Sequence, residues 1–281
     1  MERNYKIRVD FLKQLYQIGR KVSIYNLENN NSTIRILQLQ KMLEKILLHN
    51  CSIIHLINSC SSDSYKELDV SGIASIARNV MESTNLYFYT AARNIKNSEI
   101  KLRYIFSTLN YYQNITNILT KLDFSRNCFR MRMIETGKKN AIREIKDSKL
   151  YKESDKNVRN RLISGSKQVY GMFSPKILEQ RKESAIYNLL SNSAHSLFIG
   201  LGSNSFNYNP IYHNHVSPLM MLSISIEICI IYTSCVLQDY FSLRKKTNSN
   251  LTNEEKVFIR QLTSVNYLNY IIDTERQIFS K

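Results

Sequence analysis

The chain has 281 residues, 43% of them hydrophobic, with 7 glycines, 3 prolines and a formal charge of +16. That length and apolar content exclude a disordered chain and allow a core that hides about three quarters of the unfolded surface. So few glycines and prolines exclude a fold built on tight turns, and the chain reads as helices rather than sheet. A basic surface draws nucleic acid, anionic membrane or acidic partners. Here the basic residues are scattered with no dense run, which fits a compositional drift towards Lys, Asn and Ile; RNA or an acidic protein is the partner class that the charge otherwise allows. The 5 cysteines, at 51, 60, 128, 229 and 235, are odd in number and form no CxxC. They read as reduced thiols in a cytoplasmic protein. The N-terminus lacks the continuous apolar core of a signal peptide.

Residues 3 to 27 space Tyr5, Val9, Leu12, Leu15, Ile18 and Val22 by three and four, which predicts an amphipathic helix. Asn29 to Ser32 is a polar break. A long helix follows from Thr33 to Ser59, carrying Ile36, Leu37, Met42, Leu43, Ile46, Leu47, Ile53, Ile54 and Ile57. His49 and His55 lie on it without acidic or cysteine partners at ligand spacing, as packing or surface histidines do. After a serine-rich linker, Asp69 can accept a backbone N–H and open a helix that runs to Ala92. Asn97 or Ser98 caps the next. Its aromatics, Tyr104, Phe106, Tyr111 and Tyr112, stand at helical spacing and are expected in the core.

Residues 123 to 151 are the most charged. Arg126, Arg130, Arg132, Lys138 and Lys139 are the best candidates for an anion-binding face, with Arg143 and Lys146 beyond them. The interspersed Glu135, Glu144 and Asp147 also fit a solvated helix held by i,i+4 pairs. Short helices and loop occupy 155 to 175, and Ser174 followed by Pro175 marks a helix start. Residues 216 to 240 are the most apolar, and Leu219 to Leu237 is long enough to cross a bilayer. Glu227 in its middle argues instead for a buried helix at the centre of a bundle. Thr252 to Glu255 is a capping box opening a last helix through Tyr267 to Phe279.

No Gly-rich phosphate loop, HExxH, zinc-finger spacing or nucleophile elbow is present, so no metal or cofactor is expected. His213 and His215 form an HNH string outside any strand context. One polar constellation remains. Arg78, Glu82 and Asn85 share a helix face. In a later segment Tyr187, Ser191 and His195 recur at four-residue spacing. A buried arginine needs a partner, and Glu82 is one turn away. The expectation is a polar pocket of Arg78, Glu82, Asn85, Tyr187, Ser191 and His195, with His195, Arg78 and Glu82 as its chemical members.

Two resemblances bear on this pocket. HEPN ribonucleases are small basic helical bundles whose motif sets an arginine, usually followed by asparagine, ahead of a histidine on one helix. Arg78 and Asn79 begin such a pattern, but Ser83, Thr84 and Asn85 stand where the histidine would follow. The family's base is therefore missing from that helix. The string D-x-x-G-I-A-S-I-A-R-N-x-x-E from Asp69 to Glu82, paired with Y-x-x-L-S-x-x-x-H from Tyr187 to His195, resembles the DUF5677-like family of uncharacterised bacterial helical proteins, over about residues 30–240. That resemblance implies a mainly helical fold and no established activity.

The expected architecture is all-α: a single domain over 1–281, with eight to ten helices around a central apolar helix. It comprises an N-terminal helix over 1–28, a core bundle over 30–240 and a C-terminal helix over 251–281. The expected function is that of an interaction or regulatory protein, placed among bacterial defence or toxin-type components. The alternative is a metal-independent HEPN-like ribonuclease using Arg78 and His195. No membrane span is favoured.

Overall fold

The structure is a computed structural model that describes residues 2–27, 33–59, 68–91, 96–124, 128–165, 177–194, 218–244 and 249–279. Among these residues the fold is all-helical, with no strand. In chain order the helices are α1 (Glu2–Leu27), α2 (Ile34–Ser59), α3 (Val70–Ala91), α4 (Asn97–Lys121), α5 (Phe129–Asp147), α6 (Lys149–Glu153), α7 (Lys156–Ser164), α8 (Gln180–Ala194), α9 (Pro218–Leu243), α10 (Asn253–Gln261) and α11 (Asn266–Phe279). The sequence reading treats 1–281 as one domain. Contacts gather the chain into two compact units, Met1–Tyr87 with Lys176–Lys281, and Phe88–Pro175.

The first unit is built around α9, the apolar helix. α1, α2, α10 and α11 all pack on it, and α1 also packs along α2. The α1 stripe behaves as its spacing predicts: Tyr5, Val9, Leu12, Leu15, Ile18 and Val22 are all buried. On α2, Leu43, Ile46, Leu47 and Ile53 are buried, but Leu37 faces out and Leu39 takes the core position. Gly19 is what lets α1 and α2 approach so closely. A Cβ there would come within 2.4 Å of Leu47 Cδ2.

α9 is long and apolar enough to span a bilayer, yet 83% of its most apolar window is buried inside the protein. Its polar residues explain how it sits there. Glu227 is fully buried and takes a two-pronged ion pair from Arg8 on α1, with Nε to Oε2 and Nη2 to Oε1 both at 2.7 Å. The Arg8 guanidinium also lies over the rings of Phe11 and Tyr267, at 5.1 and 4.9 Å. Asn50 of α2 donates to Thr233 at 2.7 Å. Tyr232 donates to Glu183 of α8 at 2.9 Å, and Tyr87 of α3 donates to Asp239 at 3.0 Å. Four neighbouring helices are thus keyed to α9 by polar contacts, and the fully buried groups among them, Glu227, Asn50 and Thr233, would be costly if unpaired.

At the C-terminal end the capping box forms as read, with Glu255 N donating to Thr252 Oγ1 and Thr252 N to Glu255 Oε2. The single last helix expected from it does not form. The chain breaks over 262–265, where Thr263 Oγ1 bonds back to Arg260 O and Ser264 Oγ takes the N–H of Asn266. These hydroxyls compete with the helix ladder. The break returns α11 to the core through Leu268 and Ile271.

The second unit is an α4–α5 hairpin closed by α6 and α7. Ile105, Phe106, Leu109, Ala141, Ile145 and Leu162 form its core. A Cβ on Gly137 would meet the Tyr112 ring, so that glycine sets the closeness of α4 and α5. α4 starts one residue earlier than expected. Lys96 holds the cap position without a side-chain cap, and Asn97 is already helical. Ser148 ends α5 and starts α6, donating to Ile145 O and accepting from Tyr151 N. Gly165, at φ 64°, ends α7, and its carbonyl takes the side-chain amide of Asn110. The aromatics of α4 are divided. Phe106 is core as expected, whereas Tyr104 and Tyr111 face solvent. The serine–proline helix start at 174–175 and the HNH string at 213–215 lie outside the described residues.

Two outcomes follow from the buried ion pair. Arg8→Ala strands a buried carboxylate and costs about 3–5 kcal/mol, whereas Arg8→Met with Glu227→Leu recovers most of that loss; urea unfolding measures both. Burial pushes the Glu227 carboxyl above its ordinary 4.5 even against Arg8. A carboxyl with a raised native pKa contributes stability at low pH that is lost as pH climbs through the native value. The stability of the wild type relative to Glu227→Gln therefore falls as pH rises above 4.5 towards that native value.

Candidate functional site

α3 and α8 carry the polar constellation. Asp69 opens α3 by accepting the N–H of Gly72 at 2.9 Å, and a Cβ on Gly72 would press into that carboxylate. Ile73, Ala74, Ala77, Val80 and Met81 turn one face of α3 inward. Arg78 and Glu82 are left at the edge of that face, one turn apart. On α8, Ile186 and Leu190 are buried, and Tyr187 beside them points at the α3 edge.

Three of the expected residues meet. Arg78 Nη2 bonds Glu82 Oε1 at 3.0 Å, and Arg78 Nε bonds the Tyr187 hydroxyl at 3.2 Å. That hydroxyl donates its proton to Glu82 Oε1 at 2.7 Å. The guanidinium also lies 5.2 Å from the centre of the Tyr187 ring. The result is a closed triangle of cation, phenol and carboxylate. Side-chain exposure is 24% for Arg78 and 35% for Glu82, so the triangle sits at the rim rather than in a sealed core. Burial works against the Arg78 charge, but the bonds to Tyr187 and Glu82 outweigh it and hold its pKa above the ordinary value. Burial and the bond to Glu82 push the Tyr187 hydroxyl up, with Arg78 opposing. Both shifts deepen the resting protonation states; neither poises a group to exchange protons near neutrality.

Asn85 and Ser191 lie half-buried on the same two helices, while His195 falls outside the described residues. Ser193 Oγ meets Ser71 Oγ at 3.5 Å, so α8 runs antiparallel to α3 and its end leads away from Arg78. Ser71 lies seven residues before Arg78, a rise of about 10 Å along a helix. The Ser71–Ser193 contact was not anticipated, since two small hydroxyls in helices carry no sequence signal. Neither was the Glu183–Tyr232 bond that ties α8 to α9.

The candidate anion-binding residues are placed on α5. Arg130, Arg132 and Lys139 are exposed, Lys138 is half-buried and Arg126 lies outside the described residues. They do not form one face. Arg132 and Lys139 instead align with exposed Arg143 and Lys146, at spacings of seven, four and three. Glu144 reaches across to Lys101 of α4 at 3.0 Å rather than pairing along its own helix.

Among the described residues, no group of three or more His, Cys, Asp or Glu is placed to hold a metal ion. Burial pushes the Cys235 thiol up to about 11 and the Cys229 thiol up as well, which makes them poor nucleophiles. Burial lowers the pKa of His49, with Lys45 adding to the effect. No family model, curated protein or solved structure shows a match to this chain.

Because the triangle shares one carboxylate oxygen, its members are coupled. Tyr187→Phe and Glu82→Gln each cost about 0.5–1.5 kcal/mol. Their double-mutant cycle in urea gives a coupling of at least about 0.5 kcal/mol. Additive losses would show that the triangle does not act as one unit.

Proposed function

We propose that this chain is a helical interaction or regulatory protein and that Arg78, Glu82 and Tyr187 form a clamp between α3 and α8 rather than a catalytic centre. The observation that carries this reading is the closure of the triangle. The Tyr187 proton is directed at Glu82, and the Arg78 guanidinium is engaged by both. A guanidinium that stabilises a phosphate in a transition state needs donors aimed at an open position. Here two of them are turned inward to protein partners.

The basic stripe of Arg132, Lys139, Arg143 and Lys146 supports a contact surface for an acidic partner on the second unit. The likeness to the DUF5677-like family over Asp69–Glu82 and Tyr187–His195 supports a place among bacterial helical proteins. A role beside defence or toxin systems, in the cytoplasm, rests on that likeness.

The ribonuclease alternative is tested directly. The full chain, His195→Ala and Arg78→Ala are incubated with single-stranded RNA without metal. The expected result is no cleavage above buffer by any of the three. Cleavage by the wild type that disappears in both variants would overturn the clamp reading.

A further inference from the structure

α4 carries a second pattern besides the one that faces its core. Tyr104, Thr108, Tyr111, Ile115 and Ile118, with Leu122 at the C-cap, follow one another at spacings of four, three, four, three and four. That is the 3.5-residue repeat of a coiled-coil seam. In a helix whose inner face already buries Ile105, Phe106 and Leu109, this seam points outward. Tyr104 is 44% exposed, Tyr111 60%, Ile118 51% and Leu122 63%, with Thr108 and Ile115 half-buried between them. An apolar helical stripe left open to water marks an interaction surface.

The charge pattern decides among its occupants. No Asp, Glu, Lys or Arg occurs from Tyr104 through Thr120, although the chain as a whole is 22% charged. An anionic bilayer calls for lysines and arginines along the apolar stripe, and nucleic acid calls for them still more. An acidic partner would find nothing to pair with. Two copies of a +16 chain, by contrast, repel one another wherever their charged surfaces meet, and approach at least cost along a face that bears no charge. The seam is also its own complement. Turned antiparallel about an axis near residue 113, Tyr104 meets Leu122 of the second copy, Thr108 meets Ile118, and Tyr111 meets Ile115. One flank of the seam is closed, since Ile105 is in the core and Tyr112 abuts Gly137 of α5. The other flank presents exposed Asn114 beside the axis.

We propose that the chain forms a two-fold symmetric dimer by antiparallel packing of α4 against α4 of a second copy. The pairing is isologous, as a two-fold interface requires. It does not rest on the Arg78 clamp.

Size-exclusion chromatography with light scattering on the full chain tests it. The expected mass is twice 32.9 kDa across the micromolar range. Tyr111→Lys with Ile118→Lys, both at exposed positions, halves the mass while leaving the helical circular dichroism unchanged. As a measurement that does not depend on that variant, Asn114→Cys yields a covalent dimer on mild oxidation, well above the background of the native cysteines. A wild type that stays at 32.9 kDa overturns the proposal, as does a dimer that survives both lysines, or an Asn114→Cys chain that does not cross-link. A monomer that sediments with anionic vesicles would overturn it in favour of a membrane surface.

Discussion

The ion pair between Arg8 and Glu227 is the constraint on which the first unit depends. α9 is apolar enough to be stable in many settings, and hydrophobic burial alone has no direction. A carboxylate at its midpoint changes that. It must meet a cation, and the cation that meets it lies 219 positions earlier in the chain. Once Arg8 is placed, α1 is fixed in register along α9, and the rings of Phe11 and Tyr267 close around the guanidinium. The bonds that Asn50 and Tyr87 donate to α9, and that Glu183 accepts from Tyr232, then fix α2, α3 and α8 in the same way. Replacing such pairs by apolar groups is often neutral for stability, so their contribution lies in choosing one arrangement of helices over its neighbours.

The same logic describes the polar triangle on α3 and α8. Two helices bearing Ser71, Arg78 and Glu82 on one side and Tyr187 and Ser193 on the other are pinned at two levels, roughly two turns apart. This antiparallel pinning sets the faces that α3 and α8 turn to the core. On the proposed reading, residue types common in catalysis serve here as a clamp between two helices. The bonds of the triangle hold Arg78 and Tyr187 in protonation states far from neutral exchange.

How much of this was legible in the sequence differs by element. The α1 stripe could be read residue by residue, because one flat face of an isolated amphipathic helix meets one neighbour. α2 packs on both α1 and α9, so its buried arc is wider than a single stripe, and Leu37 and Leu39 exchange places. Hydropathy could not separate a core helix from a membrane span for α9; Glu227 pointed to the core, but nothing local could name Arg8 as its partner. Arg78 and Glu82 were visible because they lie on one helix. That Tyr187 would join them was signalled by its four-residue spacing to Ser191 and by the Y-x-x-L-S-x-x-x-H string it opens, and Ser71 with Ser193 not at all. The helix break at 262–265 was hidden by residues that individually tolerate a helix. The outward turn of Tyr104 and Tyr111 was hidden by the habit of reading aromatics as core, although the heptad they start was present in the sequence throughout.

The central claim is that α9 is the buried organising helix of the first unit. Native-state hydrogen exchange in aqueous buffer without detergent tests it most directly. The amides from Ile226 to Val236 should exchange most slowly of all, and at the same rate as the buried stretches of α1 and α2, because all three open only in one cooperative unfolding. Fast exchange along α9 while α1 and α2 stay protected, or protection of α9 that appears only when detergent or lipid is added, would contradict the account.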